Sequence, residues 1–118
     1  MAEIFRARDP DIDRVVAIKL LKHTWQEERD LERFTREARA AGALTHPNIV
    51  TVYDVGRFAG RPYLTMELLE GPTLEALMAT GDLLSHRQVL ELAIALARAL
   101  HYAHENNVVH RDIKPSNI

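Results

Sequence analysis

The chain has 118 residues, 47% of them apolar, no cysteine, and a formal charge of −2 from 15 basic and 17 acidic side chains. That is the size and composition of about one globular domain, and the balanced charge with no basic block excludes a nucleic-acid or anionic-membrane binder. The lack of thiols excludes a disulfide framework and any thiolate metal site.

The start, Met1-Ala2-Glu3-Ile4-Phe5-Arg6, has no basic region followed by an apolar stretch, so no secretory signal is expected in these residues. Val15 to Leu21 is a β-branched run, predicted as a strand buried on both faces. Alternation puts Val15, Ala17, Lys19 and Leu21 on one side, so a flat group lying over Ala17 would be within reach of the Lys19 charge. The same lysine would equally serve to guard a strand edge against aggregation.

Thr24-Trp25-Gln26-Glu27 has the form of a capping box. Leu31, Phe34, Ala38, Ala41 and Leu44 then recur at helical spacing, which predicts a helix to about Leu44 with Glu37 bordering its apolar stripe. Ile49 to Val55 and Arg61 to Leu68 are predicted as a hairpin around a turn holding Gly56 and Gly60, and the Gly71-Pro72 break after it suits a connector. Thr73 to about Thr80 is a short helix candidate ended by Gly81-Asp82.

Ser85-His86-Arg87-Gln88 is a second capping box, opening a long helix. Between Val89 and Ala103 its only polar side chains are Glu91, Arg98 and His101, which rules out a membrane span. Glu91, Arg98 and Glu105 form one narrow wet strip, and the apolar remainder asks for helical neighbours that no other part of these residues supplies. His101, His104 and His110 lie near its end, without the acidic partners of a zinc motif, so packing or helix-end contacts are expected of them and no structural metal.

The last residues, His110-Arg111-Asp112-Ile113-Lys114-Pro115-Ser116-Asn117, put a carboxylate, a cation and an amide on one short loop. These are the groups phosphoryl transfer asks for: a base or orienting group for a hydroxyl, a cation for the moving charge, and an oxygen ligand for a hard metal ion. With this octet, the chain resembles a serine/threonine protein kinase of the kind common in bacteria, along essentially its whole length and in the family's order.

The resemblance implies an α+β, two-lobed protein-kinase-like fold, truncated. Residues 1–68 would be most of the small β lobe with its helix αC but without the start of the glycine-rich loop, 69–71 the hinge, and 72–118 the first helices of the large α lobe, ending in the catalytic loop. Met1 would then be an internal or misassigned start. The large lobe's remaining helices, the Asp-Phe-Gly segment and the activation segment would follow residue 118.

For the site, the resemblance implies that ATP is held by Ile4, Ala17, Lys19, Met66 and the backbones of Glu67 and Leu69. A Glu37 to Lys19 ion pair would orient the lysine in the active state. Asp112, Lys114 and Asn117 would act on the transfer, Asn117 as a ligand of Mg²⁺. Lys114 favours a serine or threonine acceptor on a protein substrate, and Arg111 suggests control by a phosphorylated loop. His110, Val52 and Ala41 match positions that stack in the active form. The expected location is the cytoplasm, free or as the cytosolic part of a membrane-anchored protein. Isolated, the 118 residues are expected to be inactive. Two alternatives remain: a kinase-derived module that binds nucleotide or a partner without chemistry, and a small-molecule phosphotransferase of related fold.

Overall fold

A computed structural model of the chain describes residues 2–21, 28–81 and 84–118, and divides into two units, Met1–Leu69 and Glu70–Ile118. The capping box at Thr24 to Glu27 and the stop residue Asp82 lie outside the described residues.

The first unit is an antiparallel sheet of β1 (Ala2–Asp9), β2 (Arg14–Leu21), β3 (Val52–Phe58) and β4 (Arg61–Glu67), in the order β1-β2-β4-β3, with helix α1 (Glu28–Gly42) against β3. In β2 the predicted two-sided burial is reached at the centre, where Val16 is 2% and Ala17 5% exposed, while Val15 at the strand's start is largely open. On and after α1, Ala38 and Leu44 are buried, as the apolar stripe requires.

Strand β1 is not foreshadowed by hydrophobicity, because its large apolar side chains, Ile4 and Phe5, both stay exposed. Backbone pairing holds it in place along its full length, from Ala2 opposite Leu21 to Asp9 opposite Arg14. The connecting turn is closed by its aspartates: Asp9 accepts from the N–H of Asp11 at 3.1 Å, and Asp13, at φ 53°, receives the Arg8 guanidinium. At the other end of the hairpin, Arg61 donates to the carbonyl of Leu21 at 2.9 Å and to Glu3 at 2.7 Å, so one half-buried guanidinium fastens β4 to its neighbour β2 and, beyond it, to β1.

The β3–β4 hairpin forms, with shifted bounds. Ile49 to Thr51 are not in the strand, and β3 runs on through Gly56, which pairs with Tyr63. The turn is Ala59-Gly60 alone, both at positive φ (50° and 76°), as the type I′ turn that matches strand twist demands. Gly56 is needed for space, since the Tyr63 ring crosses over it and a Cβ there would lie 2.5 Å from the phenol oxygen. A register shift between Val52 and Asp54 marks a bulge at Tyr53. The ring of Tyr53 lies 3.5 Å beneath the Arg14 guanidinium.

The second unit holds α2 (Leu74–Ala79), α3 (His86–Glu105) and a 3-10 turn at Pro115–Asn117. Thr73 caps α2 by accepting from the N–H of Ala76. Ser85 and Gln88 make the reciprocal capping box: the serine hydroxyl accepts from the Gln88 N–H at 3.3 Å, and the glutamine oxygen accepts from the Ser85 N–H at 2.8 Å. Glu91, Arg98 and Glu105 are exposed as a strip. On the apolar remainder, Ala99 and Ala103 are buried, while Val89, Leu90 and Ile94 stand 48%, 62% and 50% exposed. Among the described residues nothing covers them.

Gly56→Ala is expected to displace the Tyr63 ring and destabilise the protein by about 1–3 kcal/mol, read as a lower denaturation midpoint with an unchanged denaturant slope. Ala59→Asn creates the Asn-Gly pair that type I′ turns favour; relieving a left-handed alanine should add about 0.5–1 kcal/mol, measured as a rise in Tm.

Candidate active site

The register of the sheet decides which side chains share a face. Opposed residues of antiparallel strands project to the same side, so two rows form: Ile4, Lys19, Leu64 and Val55; and Arg6, Ala17, Met66 and Val52. Ile4, Ala17, Lys19 and Met66, the side chains that the resemblance assigns to nucleotide binding, thus stand on one face in two adjacent rows. Ala17, the smallest side chain in the two rows, is buried directly opposite Met66 and two residues from Lys19 on the same strand.

Beyond Met66, the N–H of Glu67 donates to the Thr51 carbonyl at 2.9 Å, and its carboxylate accepts from the Thr51 N–H at 3.2 Å. That side chain closes the strand's end. Leu69 is 62% exposed, and its N–H takes part in no hydrogen bond among the described residues, which leaves a backbone donor for a ligand's edge. Glu37, exposed on α1, pairs with Arg33 one turn earlier at 3.1 Å. Lys19 is in none of the ion pairs formed among the described residues, so this structure does not contain the Glu37 to Lys19 contact.

In the second unit the loop geometry begins at the end of α3. Asn107 takes the left-handed conformation (φ 60°), its N–H reaches the carbonyl of His104, and the N–H of Val108 reaches that of Ala103, both at 2.9 Å. This is the Schellman closure, and it turns the chain out of the helix. Arg111 is again left-handed (φ 64°), which brings the N–H of Asp112 to Nδ1 of His110 at 3.3 Å. An arginine held there stores backbone strain of the sort found at functional loops.

The three loop residues picked from the sequence converge. Asp112 Oδ2 lies 2.9 Å from the Lys114 ammonium and accepts from the Asn117 amide at 3.1 Å; the same amide also donates to the Asp112 carbonyl at 2.9 Å. The 3-10 turn after Pro115 carries Asn117 back to Asp112, and the carbonyl of Ile118 accepts from the N–H of Leu74 at 2.7 Å, tying the loop to α2. Asp112 is held below the usual carboxylate range, chiefly by the Lys114 hydrogen bond, against a smaller opposing effect of desolvation, with Asn117 and the charges of Lys114 and His110 adding to the depression.

The whole chain, residues 1–118, matches the protein kinase domain family. The chain belongs to that family. It is 40% identical over 119 residues to the serine/threonine-protein kinase PrkC of Bacillus subtilis, covering all of this chain and 18% of that protein. It is 40% identical over 123 residues to the serine/threonine-protein kinase PknB of Mycobacterium leprae, covering all of this chain and 20% of that one. The crystal structure of the Mycobacterium tuberculosis PknI kinase domain superposes with a TM-score of 0.88 at 32% identity, over 98% of this chain and 47% of that one. The chain therefore spans about a fifth of the length of these curated relatives, and the α+β architecture is that of the first part of the kinase fold.

Sequence reasoning did not find Arg33 as the partner of Glu37, although the four-residue spacing was there to be seen. Because the folded pKa of Asp112 is depressed, its ion pair is fully formed above pH 3.8 and is lost only as the pH falls through the lowered value. Lys114→Ala removes the largest cause, so carboxyl NMR titration between about pH 2 and pH 6 should show the Asp112 midpoint moving up toward 3.8. An unmoved midpoint would mean that the contact does not exist in solution.

Proposed function

We propose that the protein containing this chain is a serine/threonine protein kinase that moves the γ-phosphoryl group of ATP to hydroxyls of protein substrates. The observation that carries the reading is the clustering of Asp112, Lys114 and Asn117 on one strained loop. The shared face of Ile4, Ala17, Lys19 and Met66 supports it. The names of the relatives support it too.

In this reading the base rests over Ala17, flanked by Ile4 and Met66, with its edge on the backbones of Glu67 and Leu69. Lys19 holds the phosphate tail, and Glu37 orients that lysine once it leaves Arg33. Asp112 orients the acceptor hydroxyl, and Lys114 offsets charge on the moving phosphoryl group. A Mg²⁺ ion, when bound, would neutralise phosphate charge. Asn117 supplies one amide oxygen toward an ion that takes about six ligands, and no group of three or more His, Asp or Glu side chains that could hold a metal occurs among the described residues. The 118 residues by themselves are accordingly expected not to turn over. No helix among the described residues is long and apolar enough to cross a membrane, and a cytosolic site of action, where ATP is available, belongs to the same proposal.

The second reading is a module that binds nucleotide through the face of Ile4, Ala17, Lys19 and Met66 without transferring phosphate. Phosphotransfer from labelled ATP to a protein substrate, by a chain joining these residues to the rest of a kinase domain, separates the two. Lys19→Met and Asp112→Asn should each lower kcat by a factor of about 10² or more, on the scale of losing a transition-state group, while an unchanged rate in Asp112→Asn would remove that carboxylate from the mechanism.

A further inference from the structure

The hairpin of β1 and β2 carries three arginines, and two are engaged: Arg8 with Asp13, and Arg14 with Asp9 and the Tyr53 ring. The Arg6 side chain is exposed and takes part in no hydrogen bond or ion pair among the described residues. Its position is specific. It lies directly opposite Ala17 and in one row with Met66, on the face that carries Ile4 and Lys19. Lys19 pairs with Ile4, so Arg6 stands two residues, about 7 Å, further along β1 and away from the lysine.

From this placement we infer that Arg6 is a nucleotide-binding residue at the nucleoside end of the ligand, its planar guanidinium packing on the purine that rests over Ala17. The inference rests on the ATP-binding reading and adds a contact to it. A guanidinium is weakly hydrated and stacks well on flat π systems, whereas an ammonium does so less effectively. Lys19 and Arg6 then divide the ligand: one cation serves the phosphates, the other the base. The bland role for such a residue is a solvated charge that keeps an edge strand from pairing with other chains.

The test is calorimetric titration of the 118-residue chain and its variants with ATP and, separately, with adenosine. Arg6→Gln should weaken both ligands by the same factor, about two- to five-fold, with Tm unchanged, whereas Lys19→Met should weaken ATP alone. Equal affinities in Arg6→Gln and the unaltered chain, beside a selective loss of ATP in Lys19→Met, would overturn the role of Arg6 and leave the kinase reading standing. A loss confined to ATP in Arg6→Gln would place the arginine on the phosphates and overturn it as well. Failure of the unaltered chain to bind either ligand would overturn the nucleotide reading and the inference with it.

Discussion

Everything on the sheet depends on the pairing of β2 with both of its neighbours. Strand alternation is strict, so a one-residue slip of β2 against β4 would carry Ala17 and Lys19 to the opposite face from Met66. Hydrophobic contrast between the faces is weak here, since Val16 and Ala17 are both buried although they point opposite ways. The register must therefore be fixed by other means. The Arg61 guanidinium, bound at once to the Leu21 carbonyl and to Glu3, pins the end of the ladder where β1, β2 and β4 meet. The tight Ala59-Gly60 turn and the close fit of Tyr63 over Gly56 set the register of β3 on β4. None of these residues belongs to the site, yet they determine that Ile4, Ala17, Lys19 and Met66 share a surface.

The loop in the second unit is built on a different principle, with short-range hydrogen bonds in place of a ladder. Left-handed residues at Asn107 and Arg111 make two sharp turns, and each is recovered by specific bonds: the helix-end closure at the first, the His110 to Asp112 contact at the second. Local bonding of this kind holds Asp112, Lys114 and Asn117 together with little burial. Side chains half or more exposed to water gain little stability from their ion pair. What the arrangement provides is orientation, which is the larger part of what the proposed phosphoryl transfer would require of it.

Much of this fold is legible in the sequence, and the parts that are not share physical causes. Helix starts and the loop motif were legible because they depend on residues close in sequence: Ser85 with Gln88, Thr73 with Ala76, and Asp112 with Lys114 and Asn117. Strand β1 was missed because backbone pairing, not apolar content, holds it, and Ile4 and Phe5 stay open to solvent. Gly56 reads as a turn residue because a glycine needed for a neighbour's ring looks the same in sequence as one needed for positive φ. The exposed apolar side of α3, with Val89, Leu90 and Ile94, was legible as a face requiring a partner. The Glu37 to Lys19 contact expected of the active state spans separate elements, and here Glu37 pairs with Arg33 on its own helix.

The depressed ionisation of Asp112 bears on which part of its expected role is available to it. An efficient general base titrates near the working pH, and a carboxylate held below its ordinary range is far from that condition. Lys114 and Asn117 both bind the ionised form, so any proton arriving on Asp112 must displace their hydrogen bonds. A carboxylate so placed accepts a hydrogen bond well and a proton poorly. In a loose transition state, with little bonding to the incoming oxygen, the hydroxyl needs aiming before it needs deprotonation, and proton loss can lag behind phosphoryl movement. The contact with Lys114 is then compatible with the proposed role: it keeps Asp112 charged, and in the kinase reading it would place the cation beside the transferred charge.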